Sequence, residues 1–197
     1  MQAFTKITAK VIPLPLKDVD TDMIIPAQYL TSISKEGYGE NLFIRLKQEQ
    51  PDFPFNQDKF ADAQILVAKS NFGCGSSREH AAWAILGAGI RVVIAPGFAD
   101  IFFNNSAKNG LVLVELDAEV INGMLVDAEN GNYEITVDLE AQTVILPDNT
   151  SYKFNFDPFR KECILNGYEE LDFLLAKSDE IGQFKEERDK NLFFSTK

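Results

Sequence analysis

The sequence contains very few of the residues that ligate metals or form disulfides. Its 197 residues include two cysteines, Cys74 and Cys163, and one histidine, His80. An iron–sulfur cluster needs about three or four thiolates, and a structural zinc site is closed by several Cys or His ligands, so this chain has too few to hold either by itself. We therefore expect no metal and no cofactor on this chain. Cys74 is expected to pack as a small side chain, with a redox-sensitive thiol as the alternative.

A basic surface and a long apolar run are also absent from the sequence. Lys and Arg number 19 against 30 Asp and Glu, which gives a formal net charge of −11. Nucleic-acid binding depends on clustered Lys and Arg, so this charge argues against a nucleic-acid partner. The apolar runs are well short of the roughly 20 residues that span a bilayer, and the N-terminus lacks a secretory signal pattern. We therefore expect a cytoplasmic protein with no membrane partner.

The composition itself is typical of a soluble globular protein. Hydrophobic residues make up 45% of the chain and charged residues 25%, which is the balance of an ordinary folded domain. The length suits one domain over residues 1–197, large enough to bury a hydrophobic core.

One stretch, residues 71–83, combines glycines, hydroxyl groups and a cation, and our functional prediction centres on it. The residues just before it, Ile65-Leu66-Val67-Ala68, are apolar and include β-branched side chains, which predicts a buried strand. Ser76 and Glu79 have the spacing of a capping box, in which each side chain bonds the other residue's amide. A helix is predicted after them because four residues share one helical face: Ala82, Ile85, Leu86 and Gly89.

The predicted start of this helix has the chemistry of an anion site. Free backbone amides and the positive end of the helix dipole meet there, and Arg78 stands beside them. Gly73 and Gly75 let a ligand approach the backbone closely or let the backbone take a positive φ. Clustered donors and a guanidinium would also stabilise the alkoxide of a serine such as Ser76. We predict a site for a carboxylate or phosphate, with a plain capped turn as the alternative.

Three blocks of sequence resemble the swivelling domain of the aconitase superfamily. Gly75-Ser76-Ser77-Arg78-Glu79-His80 is similar to the core of that domain's signature loop. The other blocks are Asp18-Val19-Asp20-Thr21-Asp22-Met23-Ile24-Ile25-Pro26 and Ala95-Pro96-Gly97-Phe98-Ala99-Asp100-Ile101-Phe102. Within the superfamily the chain most resembles the family of bacterial 3-isopropylmalate dehydratase small subunits, over nearly its whole length. Three blocks in the expected order are far more specific than one glycine loop.

The resemblance implies an enzyme subunit that works with a partner. Members of this family isomerise 2-isopropylmalate and 3-isopropylmalate by dehydration and rehydration through 2-isopropylmaleate, a hydro-lyase reaction of leucine biosynthesis. A large subunit carries the 4Fe-4S cluster that takes the leaving hydroxyl, so we expect a heterodimer or higher hetero-oligomer acting on a small dicarboxylate. The alternatives are a small subunit for citraconate, homoaconitate or dimethylmaleate, and a noncatalytic anion-binding module.

The resemblance also implies roles for individual residues. Ser76, as an alkoxide, is expected to be the base that removes the carbon-bound proton. Gly75, Ser77 and Arg78 are expected to bind a substrate carboxylate, Arg78 through a bidentate fork that lysine could not copy. The residues expected to support the site are Asp20, Thr21, Asp22, Glu79 and His80. The aspartates do not continue into a calcium-loop pattern, so we expect them to hold a turn by side-chain to backbone bonds.

Residues 28–59 are predicted to form a long loop that selects the substrate. This segment has no clear period, and long aperiodic loops in compact domains are usually functional. In the resembled family the substrate is selected just after the Asp-Thr-Asp block, which here points to Leu30 and Thr31. Burying an isopropyl group would gain ~2 kcal/mol, at roughly 0.8 kcal/mol for each CH₂. Residues 28–34 contain no Arg or Lys to pair with a third carboxylate, which favours an isopropyl substrate; a surface loop without substrate contact is the alternative.

The remaining sequence predicts an α/β fold with two kinds of strand pairing. Apolar strands at residues 91–95 and 111–114 alternate with a helix at 98–108, which predicts a mainly parallel core sheet flanked by helices. The charged residues 178–197 predict a solvated helical tail. Antiparallel strands are predicted in the C-terminal half at residues 132–139, 143–146 and 152–156. These features agree with the swivelling β/β/α domain that the resemblance implies.

Overall fold

A seven-stranded sheet is the centre of the structure, a computed structural model that describes residues 1–30 and 34–194. The strand order is β4-β3-β2-β1-β5-β6-β7. The strands are β1 (Lys6–Leu14), β2 (Ile65–Ala68), β3 (Val92–Ala95), β4 (Val112–Glu115), β5 (Glu134–Asp138), β6 (Thr143–Ile145) and β7 (Ser151–Lys153). Strands β1 to β4 are parallel to one another, and β5 to β7 continue the sheet in antiparallel pairing. The predicted combination of a parallel core and antiparallel C-terminal strands is confirmed.

Strand β1 joins the two halves of the sheet. Its first half pairs antiparallel with β5, from Lys6 opposite Asp138 onward. Its second half pairs parallel with β2, from Val11 opposite Ile65 to Leu14 opposite Ala68. The parallel half lies between other strands and is buried on both faces, which explains its continuous apolar sequence.

Helices cover both faces of the sheet and enclose two hydrophobic clusters. The helices are α1 (Thr21–Ile24), α2 (Ile44–Glu49), α3 (His80–Gly87), α4 (Asp100–Asn109), α5 (Ala118–Ala128), α6 (Pro158–Asn166), α7 (Glu170–Ala176) and α8 (Ser178–Phe194). Alternate residues of β2 illustrate the two faces, because Leu66 packs toward α3 and α4 whereas Val67 packs toward α5. Among the described residues we find no helix with the length and hydropathy of a transmembrane segment.

Helix α3 is shorter at its C-terminal end than the sequence predicts. Helix α3 ends at Gly87, so Gly89 lies beyond it, with a positive φ of 88°. Helix α6 begins as its sequence indicates, because the Asp157 side chain accepts a hydrogen bond from the Arg160 amide at 2.9 Å and Pro158 is the first helical residue. The tail forms α8, whose described side chains are mostly exposed.

Residues 34–60 contain more local structure than the aperiodic sequence predicts. The segment includes α2 and short 3₁₀ turns, and it buries aromatic side chains such as Tyr38, Phe43 and Phe53 in the core. Its backbone also touches α3 closely. A Cβ atom built on Gly39 would lie 2.2 Å from the carbonyl carbon of Gly87. Glycine at position 39 therefore permits a backbone-to-backbone contact between this segment and α3, the helix that follows the signature loop.

We expect Gly39→Ala to destabilise the fold by about 1–3 kcal/mol or more, because neither backbone can yield to the added methyl group. The matched control is Gly123→Ala in α5, where a Cβ atom meets nothing within 4 Å. That change should leave stability equal or raise it by up to about 1 kcal/mol, since alanine is the better helix former. Urea unfolding of the three proteins measures both effects. Equal midpoints for Gly39→Ala and the parent chain would contradict the close contact.

Candidate active site

The three sequence blocks meet at the carboxyl ends of adjacent parallel strands. The block at residues 18–26 follows β1, and the loop that contains residues 75–80 follows β2. The backbones of these two loops pair beyond the strand ends. The Gly73 amide donates to the Val19 carbonyl at 2.7 Å, and the Thr21 amide donates to the Cys74 carbonyl at 2.9 Å. This is the edge at which parallel α/β sheets commonly bind ligands.

The block at residues 95–102, at the end of β3, packs against the loop that follows β2. The Phe72 amide donates to the Gly97 carbonyl at 3.3 Å, and the Ala99 amide donates back to the Phe72 carbonyl at 3.1 Å. Gly73 has a φ of 80°, and a Cβ atom there would lie 2.2 Å from Cγ of Phe102. A side chain at position 73 is therefore excluded both by backbone conformation and by the packed ring.

The predicted capping box between Ser76 and Glu79 is wrong. Helix α3 begins one residue after Glu79, which is the N-cap, and no side chain caps it. The Ser76 hydroxyl instead contacts Thr21, and Glu79 accepts a hydrogen bond from the Asn109 side chain at 2.8 Å. Tertiary partners from α1 and α4 thus take the place of the local capping bonds.

The helix start also offers fewer free amides than predicted. The Ala81 and Ala82 amides donate to the Arg78 and Glu79 carbonyls at 3.2 and 3.0 Å. Residues 75–77 are exposed, and within the described chain their amides have no protein acceptor. The donors available to an anion are therefore the loop amides, the loop hydroxyls and the Arg78 guanidinium.

Ser76 is held by the buried hydroxyl of Thr21. Oγ1 of Thr21 lies 3.1 Å from Oγ of Ser76 and 3.2 Å from the Ser76 carbonyl oxygen. Thr21 is only 2% exposed, whereas Ser76 and Ser77 are exposed. Gly75 has a φ of 92°, and this turn places its backbone against Asp20 and Thr21. The site thus has a rigid buried floor and an open hydroxyl surface.

Arg78 is anchored by Asp22, which also binds a second arginine. Nη1 of Arg78 lies 2.8 Å from Oδ1 of Asp22, and Nη1 of Arg45 lies 2.6 Å from Oδ2. The hydrogen bond from Arg78 lowers the pKa of Asp22, with the Ala27 amide and Arg45 acting in the same direction against the effect of burial. One carboxylate thus holds two guanidinium groups beside the loop.

The other aspartates hold the turn after β1. Oδ1 of Asp20 accepts from the Met23 amide at 2.7 Å and caps α1. Oδ1 of Asp18 accepts from the Asn71 side chain at 2.8 Å, and both residues have positive φ angles, of 55° and 61°. This pair ties the end of β1 to the end of β2, in a conformation that asparagine and aspartate tolerate better than most residues.

Glu79 and His80 contact a polar and aromatic cluster. Asn109 bonds Glu79 and also accepts from Trp83 Nε1 at 2.9 Å. The His80 ring packs edge-on against Trp83 and Tyr38, with centroids 4.6 and 5.3 Å apart. Asn109 thereby links α4 to the start of α3.

Of the two residues predicted to select the substrate, Leu30 is half-buried and packs against the core next to α1. Thr31 lies outside the described residues. The sequence missed Arg45, which stands in the aperiodic segment 23 positions from Asp22, because no local pattern links the two residues.

The cysteines do not show the environment of reactive thiols. Burial, together with the charges of Asp20 and Asp18, raises the pKa of the Cys74 thiol. Cys163 is buried in α6. In the part of the chain that the structure describes, no three His, Cys, Asp or Glu side chains form a group that could hold a metal ion.

Residues 75–77 are exposed in the part of the chain that the structure describes. Clefts of about 400 and 630 Å³ occur elsewhere among the described residues, and neither is lined by Ser76, Ser77 or Arg78.

Known proteins resemble this chain over nearly its full length. The Aconitase C-terminal domain family matches residues 1–119, and the LeuD_N family matches residues 124–158. The 3-isopropylmalate dehydratase small subunit of Francisella philomiragia is 50% identical over 186 residues, covering 94% of this chain and 98% of that protein. The subunit of the same name from Paramagnetospirillum magneticum is 50% identical over 194 residues, covering 95% and 96%. A crystal structure of 3-isopropylmalate dehydratase (LeuD) from Methanocaldococcus jannaschii is 28% identical, with a TM-score of 0.65, and covers 92% of this chain and 99% of that one.

We expect Asp22→Asn to remove a pH-dependent part of the stability. Because the pKa of Asp22 is lower in the folded chain than its ordinary value of 3.8, the carboxylate stabilises the fold above that value, and the contribution is lost as the pH falls through the lowered pKa. At pH 7 the loss should be about 0.5–1 kcal/mol, as for partly exposed ion pairs.

Urea unfolding at several pH values checks this expectation, with Asp58→Asn as a control at an exposed carboxylate that has no ion-pair partner in the described chain. The control should cost less stability at pH 7. A difference between Asp22→Asn and the parent that stays the same down to about pH 2 would show that the ion pairs do not stabilise the fold.

Proposed function

This chain belongs to the family of 3-isopropylmalate dehydratase small subunits, in the aconitase superfamily, and we propose that with a large subunit it isomerises 2-isopropylmalate and 3-isopropylmalate. The reaction removes water to give 2-isopropylmaleate and adds it back with the opposite regiochemistry, as a step of leucine biosynthesis. Two relatives that share half of the residues over almost the entire length support this assignment.

The observation that carries the proposal is the exposed loop of residues 75–78, which places two hydroxyl groups beside an anchored guanidinium. Removing a proton next to a carboxylate requires a base at the carbon and a cation at the carboxylate. Ser76 supplies the hydroxyl group for the base, and Arg78 in the same short loop supplies the cation. Arg78 and Arg45, both held by Asp22, supply cations for an anionic substrate on a chain whose net charge is −11.

Ser76 is the proposed base. As an alkoxide it takes the carbon-bound proton, and the C–H electron pair becomes the double bond as the hydroxyl group leaves the neighbouring carbon. In rehydration the same hydroxyl returns the proton to the other carbon. The loop amides of residues 75–77 and the positive charge nearby stabilise the anionic form of the serine.

Arg78 and Ser77 are the proposed carboxylate ligands. Arg78 is 23% exposed, and within the described residues Asp22 and the Ile25 carbonyl engage one of its terminal nitrogens, Nη1. We propose that the rest of the guanidinium forms a bidentate pair with a substrate carboxylate. Asp22 holds the guanidinium in place, so its orientation is set before the substrate arrives.

Leu30 and Thr31 are the proposed contacts to the isopropyl group. Leu30 packs on the hydrophobic core near α1, and the Ala27 amide just before it bonds Asp22 at 3.2 Å. The start of the substrate-selecting segment is thereby tied to the residue that anchors Arg78. Changes in this segment can therefore alter the substrate preference without moving the base.

The large subunit is the proposed holder of the 4Fe-4S cluster and the proposed cover of the exposed loop. The two cysteines of this chain, one of them buried in α6, do not fit the ligand set of such a cluster. Covering the open loop with a second subunit would also exclude water, which strengthens the interactions between the substrate and the charged groups.

We expect the chain to convert 3-isopropylmalate only when mixed with its large subunit. Either subunit alone should be inactive, because each lacks half of the site. Absorbance of the conjugated intermediate, 2-isopropylmaleate, follows the reaction. Citraconate, homoaconitate and dimethylmaleate hydration serve as competing assays, and a preference for any of these over the isopropyl substrate would reject the proposed specificity.

We expect Ser76→Ala to assemble with the large subunit and to lose turnover by about 10²- to 10⁴-fold, the range for removal of a positioned base. Ser151→Ala on the edge strand β7 is the control, because Ser151 is exposed and far along the sheet from the loop. Its turnover should equal that of the parent. Near-normal turnover of Ser76→Ala would exclude Ser76 as the base.

A further inference from the structure

The hydroxyl of Thr21 is buried against the proposed base, and its two contacts constrain where the protons lie. Oγ1 of Thr21 is 3.1 Å from Oγ of Ser76 and 3.2 Å from the Ser76 carbonyl oxygen. A threonine hydroxyl has one proton to donate, and a carbonyl oxygen can only accept. Both contacts are satisfied together only if Thr21 donates to the carbonyl and Ser76 donates to Thr21.

This arrangement changes when Ser76 becomes an alkoxide. The alkoxide has no proton to donate, so the only proton left between the two hydroxyl groups is that of Thr21. Rotation about the Cβ–Oγ1 bond moves this proton from the carbonyl to Oγ of Ser76, where it forms a charge-assisted hydrogen bond. Thr21 keeps its proton throughout, and no bond to carbon forms or breaks at this residue.

The Ser76 carbonyl does not lose its last partner in this change. The Arg78 amide donates to the same oxygen at 2.8 Å. A carbonyl oxygen has two lone pairs, so it holds both donors in the resting state and retains one when Thr21 turns away. Reorienting the hydroxyl therefore leaves no buried acceptor unsatisfied, which keeps its cost small.

The position of Thr21 is fixed independently of Ser76. Thr21 begins α1, its amide donates to the Cys74 carbonyl at 2.9 Å, and its carbonyl accepts from the Ile25 amide at 3.0 Å. Its β-branched side chain has few accessible rotamers. The backbone pairing that aligns the loops after β1 and β2 therefore also positions the Thr21 hydroxyl. Because this hydroxyl is buried, bulk water does not compete for it.

We propose that Thr21 is a positioning residue whose buried hydroxyl switches from the Ser76 carbonyl to the Ser76 alkoxide and so stabilises the base. The inference rests on the proposed function, because it assumes that Ser76 removes the carbon-bound proton. It goes further by assigning Thr21 a role in the chemical step, in addition to its place in the turn.

The test uses the complex of this chain with its large subunit and two matched pairs of variants. Thr21→Val has nearly the shape of threonine without the hydroxyl. Thr21→Ala and Thr21→Ser both lose the methyl group, and only the serine variant keeps a hydroxyl, so this pair isolates the hydroxyl even if valine is not accommodated. Thr8→Val is the control, because it removes one partner of a hydroxyl pair at 2.7 Å between β1 and β5, away from the loop.

Three quantities are measured for each complex: turnover, KM and the primary isotope effect. The isotope effect uses 3-isopropylmalate deuterated at the carbon from which the proton is removed. Loss of the hydroxyl should lower kcat by about 10- to 100-fold, as for loss of a hydrogen bond to a charged group, with KM little changed. The isotope effect should rise, because a weaker base makes proton removal more rate-limiting. Thr21→Ser should recover most of the turnover that Thr21→Ala loses, and Thr8→Val should match the parent.

Three results would overturn the inference. Normal turnover in Thr21→Val would do so, as would equal losses in Thr21→Ala and Thr21→Ser, which would point to packing. A lower kcat with an unchanged isotope effect would assign Thr21 a structural role alone. If the parent complex itself fails to convert 3-isopropylmalate, the proposed function fails and this inference falls with it, which separates that outcome from the other three.

Discussion

The site depends on a short parallel pairing between two loops beyond the ends of β1 and β2. The bonds from Gly73 to Val19 and from Thr21 to Cys74 extend the register of these strands into irregular chain. Buried backbone groups must find partners, and here they find them in each other. The contact of Thr21 with Ser76 adds a side-chain bond at the end of the same ladder. Without this pairing the hydroxyl of Ser76 would have no fixed position relative to α1.

Two arginines stand at the proposed site of an acidic protein. The formal net charge of the chain is −11, while Asp22 gathers Arg78 and Arg45 at the loop. Charges within about 8–10 Å outweigh distant ones in physiological salt, so Arg78 and Arg45, together with Asp18, Asp20 and Asp22, count for more at the proposed site than the rest of the chain does. The overall charge thus says little about the ligand of this site.

The segment between β1 and β2 contacts both α3 and the residues of the proposed site. It is packed against α3 where Gly39 meets Gly87, and it contributes Arg45 to Asp22. Buried aromatic residues pack residues 34–60 of this segment into the core. The contacts among β1, β2 and the signature loop are made by backbone atoms and by side chains outside this segment, such as Thr21 and Asp18.

The strands and most helices could be predicted from the sequence because their signals are local. The apolar runs of β2 and β3, the alternation of β5, and Asp157 before Pro158 each express a preference of neighbouring residues. The Gly75 to His80 block could likewise be recognised, since its residues are contiguous.

Local signals failed where a residue's partner is distant along the chain. Glu79 has capping spacing from Ser76, yet it bonds Asn109, and Arg45 reaches Asp22 from a segment with no period. The sequence by itself determined the α/β order, the glycine loop and its set of hydroxyl and guanidinium groups. Only the tertiary structure decided which groups pair, because it brings the ends of three parallel strands together and lets long-range partners replace the local bonds.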